Sequence, residues 1–185
     1  MTAGAPSLSA AIRDEVRATD PPAVRALVRA TGFFSDEEIA VAGELVEERL
    51  QRGPASGYHF LFAEAGLPSP KRSRFGFAQA GGALAGYACF GPIPLTRSSF
   101  DLYWIVVHPD RQGAGLGRRL LALGAAAAFR QGGARLYAET SSRPHYAPTR
   151  AFYRAAGFDP AAELADFYAP GDAKLVFAKL LTPAP

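Results

Sequence analysis

Residues 105–118 read Ile-Val-Val-His-Pro-Asp-Arg-Gln-Gly-Ala-Gly-Leu-Gly-Arg, and few folds accommodate that order. The apolar run asks for a buried strand and His108-Pro109-Asp110 for a turn. The alternating glycines then open into an alanine- and leucine-rich stretch with the composition of a long helix. The first N–H groups of a helix have no internal partner and sit at the positive end of its dipole. Glycines at that start carry no side chain to hold an oxyanion away from those groups. The segment therefore predicts a strand, a turn, an anion-cradling loop and a helix, in that order.

Two familiar phosphate cradles fit poorly. A P-loop needs Lys and Ser or Thr after its last glycine, whereas Gly117 is followed by Arg118 and Arg119. The dinucleotide fingerprint needs a third glycine where Arg118 stands, and it usually sits in a first βα unit rather than beyond mid-chain. Gln112-Gly113-Ala114-Gly115-Leu116-Gly117 instead resembles the Q/R-x-x-G-x-G/A signature of the GNAT superfamily of acyl-CoA-dependent N-acyltransferases. The hydrophobic strand and Val-x-Pro turn before it match as well. Downstream, Phe152-Tyr153-Arg154-Ala155-Ala156-Gly157-Phe158 resembles the family's F/L-Y-x-x-x-G-F motif.

Composition sets the outer bounds. At 185 residues, 49% hydrophobic and 20% charged, the chain is expected to form one globular domain over 11–185, after a disordered tail over 1–10. That tail lacks the apolar core of a secretory signal, and no run of about eighteen apolar residues occurs. A cytoplasmic protein that contacts no membrane is the expectation. The lone Cys89 excludes an intramolecular disulfide and reads as a buried thiol, and His59 and His145 lack partners at metal-ligand spacing, so no metal is expected. The net charge of +3 is modest, and the one tight basic cluster, Lys71-Arg72-Ser73-Arg74, reads as a solvated loop rather than a nucleic-acid surface. There is no G-x-S-x-G elbow for a serine hydrolase.

Periodicity and punctuation place the remaining elements. Alternation of Ile12, Val16 and Ala18 with charged residues predicts a first strand over 12–19, and Asp20-Pro21-Pro22 opens a helix over 23–30. Ser35-Asp36-Glu37-Glu38 forms a capping box for a helix to about Gln51, with Ile39, Ala42, Leu45, Val46 and Leu50 on one face. Strands follow over 58–64, 83–90 and 100–107. Leu116, Leu120, Leu123 and Ala127 mark the buried side of the helix after the glycines. A strand over 135–140, a short helix over 148–156 sharing Phe152 and Ala156 on its core side, and a hairpin of 165–168 with 174–180 complete the order.

That β-α-α-β-β-β-α-β-α-β-β order resembles the family over roughly residues 11–181. The fold class implied is α/β (α+β): a mixed, mostly antiparallel sheet of about seven strands flanked by about four helices. The resemblance also implies acetyl-CoA as co-substrate. Gly113, Ala114, Gly115, Leu116, Gly117 and Arg118, with Gln112, would hold its pyrophosphate, and Ile105, Val106 and Val107 would offer strand-edge groups to pantetheine.

By the same resemblance Tyr153 would act as general acid toward the departing thiolate. Ordinary pKa values of about 10 for tyrosine and about 8.5 for a thiol keep its proton in place at neutral pH. An alkylammonium near 10.4 must conversely lose a proton before attacking, which calls for a base. Glu139 matches a family position that sometimes supplies one, Asp101 is the rival, and His108 reads as a turn residue. Thr140, Ser141 and Ser142 are placed to hold a water or simply to form a strand exit.

Tyr146 stands where relatives often carry the asparagine that opens this helix, which weakens any pantetheine contact inferred for that position. The expected partner is a small-molecule or peptide amine, with a homodimer left open. The variable parts that would choose it are Phe33-Phe34-Ser35-Asp36, 92–99 and 166–174, with Tyr103, Trp104, Phe167 and Tyr168 as a candidate aromatic wall. A non-catalytic acyl-CoA sensor with the same fold is the alternative.

Overall fold

The computed structural model describes residues 10–64 and 83–183. In chain order these form β1 (Ile12–Arg13), α1 (Asp20–Ala30), α2 (Asp36–Arg52), β2 (His59–Glu64), β3 (Leu84–Pro92) and β4 (Ser99–Val107). There follow α3 (Leu116–Arg130), β5 (Arg135–Ser141), α4 (Ala147–Ala155), β6 (Asp159–Ala169) and β7 (Asp172–Leu180). The strands lie in the order β1-β2-β3-β4-β5-β7-β6, antiparallel throughout except for the parallel β4–β5 pair. This is the mixed, mostly antiparallel α/β sheet that the resemblance implied.

Helices cover both faces, which is why β2 and β3 read as near-continuous apolar runs. Successive side chains of a strand point to opposite faces. Phe60 and Phe62 accordingly pack with Val24, Val28, Ile39 and Val46 of α1 and α2. Leu61 and Ala63 belong to the core cluster on the other face, which also holds Leu120, Leu121 and Ala128 of α3 and Tyr153 of α4. Cys89 lies buried on the α1/α2 side, and burial pushes its thiol pKa well up, as expected of an inert thiol.

The capping box forms as expected: the Glu38 N–H donates to Ser35 Oγ (3.2 Å) and the Ser35 N–H to Glu38 Oε2 (2.8 Å). Other expectations need correction. The first strand covers only Ile12–Arg13. Asp20, 2% exposed, instead pulls the chain inward, accepting from Arg13 Nη1 (2.9 Å) and from the Arg17 N–H (2.7 Å). The buried stripe of α3 is Leu120, Leu121, Gly124 and Ala128, one residue around from the expected stripe, and Leu123 is exposed. Gly124 faces the sheet, where a Cβ would meet the Phe90 ring at 3.5 Å, ordinary van der Waals contact.

On α2, Leu50 is likewise exposed while Gly43 is buried. On α4, Phe152 and Ala156 pack at the margin of the core, and Tyr153 is the residue buried. β6 is an edge strand exposed almost throughout, so most of it carried no alternation to read. The basic cluster 71–74 and most of the expected N-terminal tail lie outside the described residues. Among the described residues no helix is long and apolar enough to cross a membrane, and no three His, Cys, Asp or Glu are grouped to hold a metal.

Candidate active site

β4 loses one of its two partners at its midpoint. Cys89 of β3 opposes Trp104 and Phe90 opposes Leu102, which leaves Tyr103 as an unpaired bulge residue. The bulge resets the alternation. Phe100 and Leu102 face the α3/α4 core before it, and Ile105 and Val107 do so after it. Pairing with β5 stops at the same point, at Leu102–Ala138. Beyond it β5 stays bound to β7 and β4 to β3, so the sheet splits. No strand among the described residues pairs the β5-facing edge of 103–107. Ile105, Val106 and Val107 therefore carry the free strand edge that a chain of amides would need.

The glycine loop follows directly. Gly113 (φ +75°) and Gly115 (φ +81°) occupy the left-handed region with nothing near a would-be Cβ, so backbone conformation rather than crowding demands glycine there. Gln112 Nε2 donates to the Val107 carbonyl (3.2 Å) and ties the loop to the strand. Gly115 is the N-cap of α3, with no side-chain cap and no acid in the first turn. The leading N–H groups, including those of Leu116 and Gly117, thus present the positive end of the helix to solvent beside Ala114. The adjacent arginines diverge: Arg119 Nη1 donates to the Ala10 carbonyl (2.9 Å), whereas Arg118 is exposed at the helix start.

Tyr153 lies on the α3/α4 face of the sheet, in the core cluster that also holds Leu102 and Ala138. It is 5% exposed, with its ring against Phe152, Phe158 and Phe177 at centroid distances of 5.6, 5.5 and 5.7 Å. Desolvation pushes its phenol pKa far above the ordinary value. The proton stays on oxygen, which suits a hydrogen-bond donor better than a full proton donor. The same helix reaches the cradle, since a Cβ on Gly117 would lie 3.5 Å from Phe152 Cε2 and 3.5 Å from Val107 Cγ2.

Asp101 and Glu139 meet on the opposite face. Asp101 is in register with Tyr137, so Glu139, two residues on, lies on the same side of the sheet. Asp101 is half-buried, and its carboxyl is raised by desolvation first and by Glu139 second, with Lys174 pulling it back. Glu139 is exposed and engages Lys174 Nζ at 2.5 Å. Tyr103, edge-on to Tyr58 at 5.4 Å, has its phenol pushed up to about 12 by burial and then by Asp101. His108 Nδ1 accepts from the Asp110 N–H (3.3 Å) and caps the 3-10 turn Pro109–Arg111, the turn role its position before Pro109 implied.

The loop after β5 is held by contacts absent from any sequence pattern. Ser141 Oγ donates to Asp172 Oδ1 (2.5 Å) and accepts from the Arg143 N–H (3.0 Å), and Asp172 also pairs with Arg143 Nε (2.9 Å). The Ala173 N–H donates to Ser142 Oγ (2.8 Å), and Thr140 is buried. Ser141 and Ser142 thus shape the strand exit. Lys174 and Asp172 were missed because their partners follow from β5–β7 register, and Asp172 in Pro170-Gly171-Asp172 looks like an ordinary turn residue.

The sheet thus opens between two parallel strands, with an uncapped helix N-terminus following the strand that leaves the opening. The acetyltransferase (GNAT) family model matches residues 41–158, well over half of the chain, and the chain belongs to that family of acetyltransferase enzymes. A GNAT-family protein from Desulfovibrio desulfuricans is 45% identical, with 93% of this chain and 99% of that one covered and a TM-score of 0.82. More distant in sequence, yncA from Salmonella typhimurium, solved with acetyl-CoA, shares the fold at 20% identity (TM-score 0.69, 95% and 96% covered). An aminoglycoside 6'-N-acetyltransferase complexed with coenzyme A does so at 18% identity (TM-score 0.67, 95% and 99% covered). Comparison with curated proteins gives no significant match.

Proposed function

We propose that this protein transfers the acetyl group of acetyl-CoA to a primary amine by direct attack in a ternary complex. The observation that carries this reading is the coincidence of three features. The sheet splits at Leu102–Ala138, the left-handed glycines follow the strand that leaves the split, and Tyr153 and Asp101 lie on opposite faces of the sheet. Relatives of the same fold solved with coenzyme A and acetyl-CoA support the choice of donor.

In this reading the amides of 113–118 and Arg118 hold the pyrophosphate, and the free edge of 105–107 aligns pantetheine in the split. Asp101, directly or through a water, takes one proton from the incoming ammonium and later releases it to solvent. Nitrogen then attacks the thioester carbonyl. As the C–S bond breaks, the Tyr153 hydroxyl donates a hydrogen bond to sulfur, and the second proton lost from nitrogen ends on the thiol. Much of the rate gain comes from holding amine and thioester together. Asp101 ranks above Glu139 as base because its carboxyl is raised, which makes the carboxylate more basic, whereas Glu139 is already neutralised by Lys174.

The test is calorimetric titration with acetyl-CoA, with NAD and ATP as controls, followed by CoA release over an amine panel. Micromolar or tighter binding selective for acetyl-CoA, with turnover, is expected. Asp101 is a base only when deprotonated, so kcat should rise with pH through a limb set above the usual carboxylate range. Asp101→Asn should remove that limb and lower kcat by about a hundredfold. Binding without turnover on any amine would leave a non-catalytic acyl-CoA sensor, and no binding would reject the donor.

A further inference from the structure

We propose that the mouth on the Asp101 side takes an amine that carries a single positive charge on an aromatic or alkyl body, and that Lys174 sets this charge count by occupying Glu139. The inference rests on the acetyl-transfer reading for the identity of that mouth, and it names the acceptor class.

Among the described residues, the exposed aromatic side chains are Phe33, Tyr103, Phe167 and Tyr168. They come from the α1–α2 loop, the β4 bulge and the end of β6, and ring contacts join Phe33 to Tyr146 through His145 and Phe167 to Tyr168. Phe33 stacks on His145 (6.2 Å), which tilts against Tyr146 (4.3 Å). Tyr146 and Tyr168 lie in the shared field of Glu38 and Asp172, and Tyr168 also feels Glu139. Phe167 is edge-on to Tyr168 (5.0 Å). At the other end Tyr103 lies within the field of Asp101. Exposed aromatic faces beside carboxylates form a recognition set for organic cations.

The chain supplies an occupant of the kind such a set recognises. Lys174 Nζ lies 2.5 Å from Glu139 Oε2 and 4.7 Å from the centre of the Phe167 ring, and its side chain is only 17% exposed. This alkylammonium already neutralises Glu139. Asp172 is engaged by Arg143, and Glu38 by the Ser35 N–H. Among the described residues no cation pairs with Asp101. Of the two carboxylates that meet on this face of the sheet, Glu139 has its salt-bridge partner and Asp101 has none, which suits one ammonium. A second cation on the acceptor would meet Lys174, and an acceptor carboxylate would meet Asp101.

The experiment uses 2-phenylethylamine, 1,5-diaminopentane and phenylalanine as monocationic, dicationic and zwitterionic probes. Each is titrated calorimetrically into the complex of the full chain with CoA, which requires no turnover, and each is assayed for acetylation. The unmodified protein should favour 2-phenylethylamine over both others by about tenfold or more. Lys174→Met frees Glu139 and should raise the diamine relative to the monoamine by about tenfold, while Lys174→Arg preserves the original preference and controls for folding. Acetyl-CoA affinity should not change. An unaltered monoamine-to-diamine ratio in Lys174→Met overturns the proposal, as does a diamine preference in the unmodified protein or no binding of any probe. The predicted binding preference without acetyl transfer would instead sink the catalytic reading alone.

Discussion

In the proposed reading, residues 105–118 carry the donor side of the split as one unbroken run, whereas the acceptor side would gather Phe33, Asp101, Glu139, Tyr146, Phe167 and Lys174 from separate parts of the chain. The donor side rests on local rules: two left-handed glycines, a strand that ends and a helix that begins. The acceptor side depends on where β4 bulges and on how β5 registers with β7. Changes to the first should therefore alter cofactor affinity. Changes to the second should alter acceptor choice and rate.

The sharpest way to separate binding from chemistry is Tyr153→Phe. The ring is buried among three phenylalanines, so the substitution keeps its packing and removes only the hydroxyl. We expect kcat to fall by about a hundredfold or more, with acetyl-CoA affinity and thermal midpoint nearly unchanged. Steady-state CoA release alongside calorimetry checks this. A loss of affinity as large as the loss of rate would make Tyr153 a wall of the cofactor channel rather than a donor to sulfur.

Gly115→Ala attacks the donor side alone. At φ +81° an alanine is strained whatever the space around it, at a cost of about 1–2 kcal/mol. Urea unfolding should show that loss. Acetyl-CoA affinity should fall by about tenfold, because relieving the strain re-aims the leading N–H groups of α3. The acceptor preference measured on the CoA complex should stay as it was. If that preference moved too, the two sides of the split would be coupled through α3.

What the sequence revealed follows the same division. The glycine loop, the capping box at Ser35 and Glu38, and most element boundaries rest on interactions within a few residues of chain. The first strand failed because a buried carboxylate bends the chain: Asp20 accepts from the Arg13 guanidinium and from the Arg17 backbone N–H, and no composition rule foresees that acid as interior. On α3, two candidate stripes both carry leucine and alanine, and the one buried is set by the sheet it meets, where Gly124 faces Phe90 and Leu61. Asp101 and Glu139 were legible as acids on two strands. The Lys174–Glu139 pair was not, because it arises only through sheet register.

The smallest expected effect is the most discriminating for the cradle itself. Gly117 lies in the signature beside Gly115, yet it sits inside α3, and its φ is not among the positive ones. A Cβ there would point inward and meet Phe152 and Val107 at 3.5 Å, which is ordinary van der Waals contact. Gly117→Ala should therefore be neutral, or stabilise the helix by up to about 1 kcal/mol, through the lower entropy cost of ordering alanine. Since the added methyl faces the protein rather than the loop mouth, acetyl-CoA affinity should change by less than about twofold. Thermal unfolding and calorimetry on Gly117→Ala and Gly115→Ala together decide the point. A large loss of affinity in Gly117→Ala alone would mean that α3 closes onto α4 when the cofactor binds, with Phe152 as the surface it closes against.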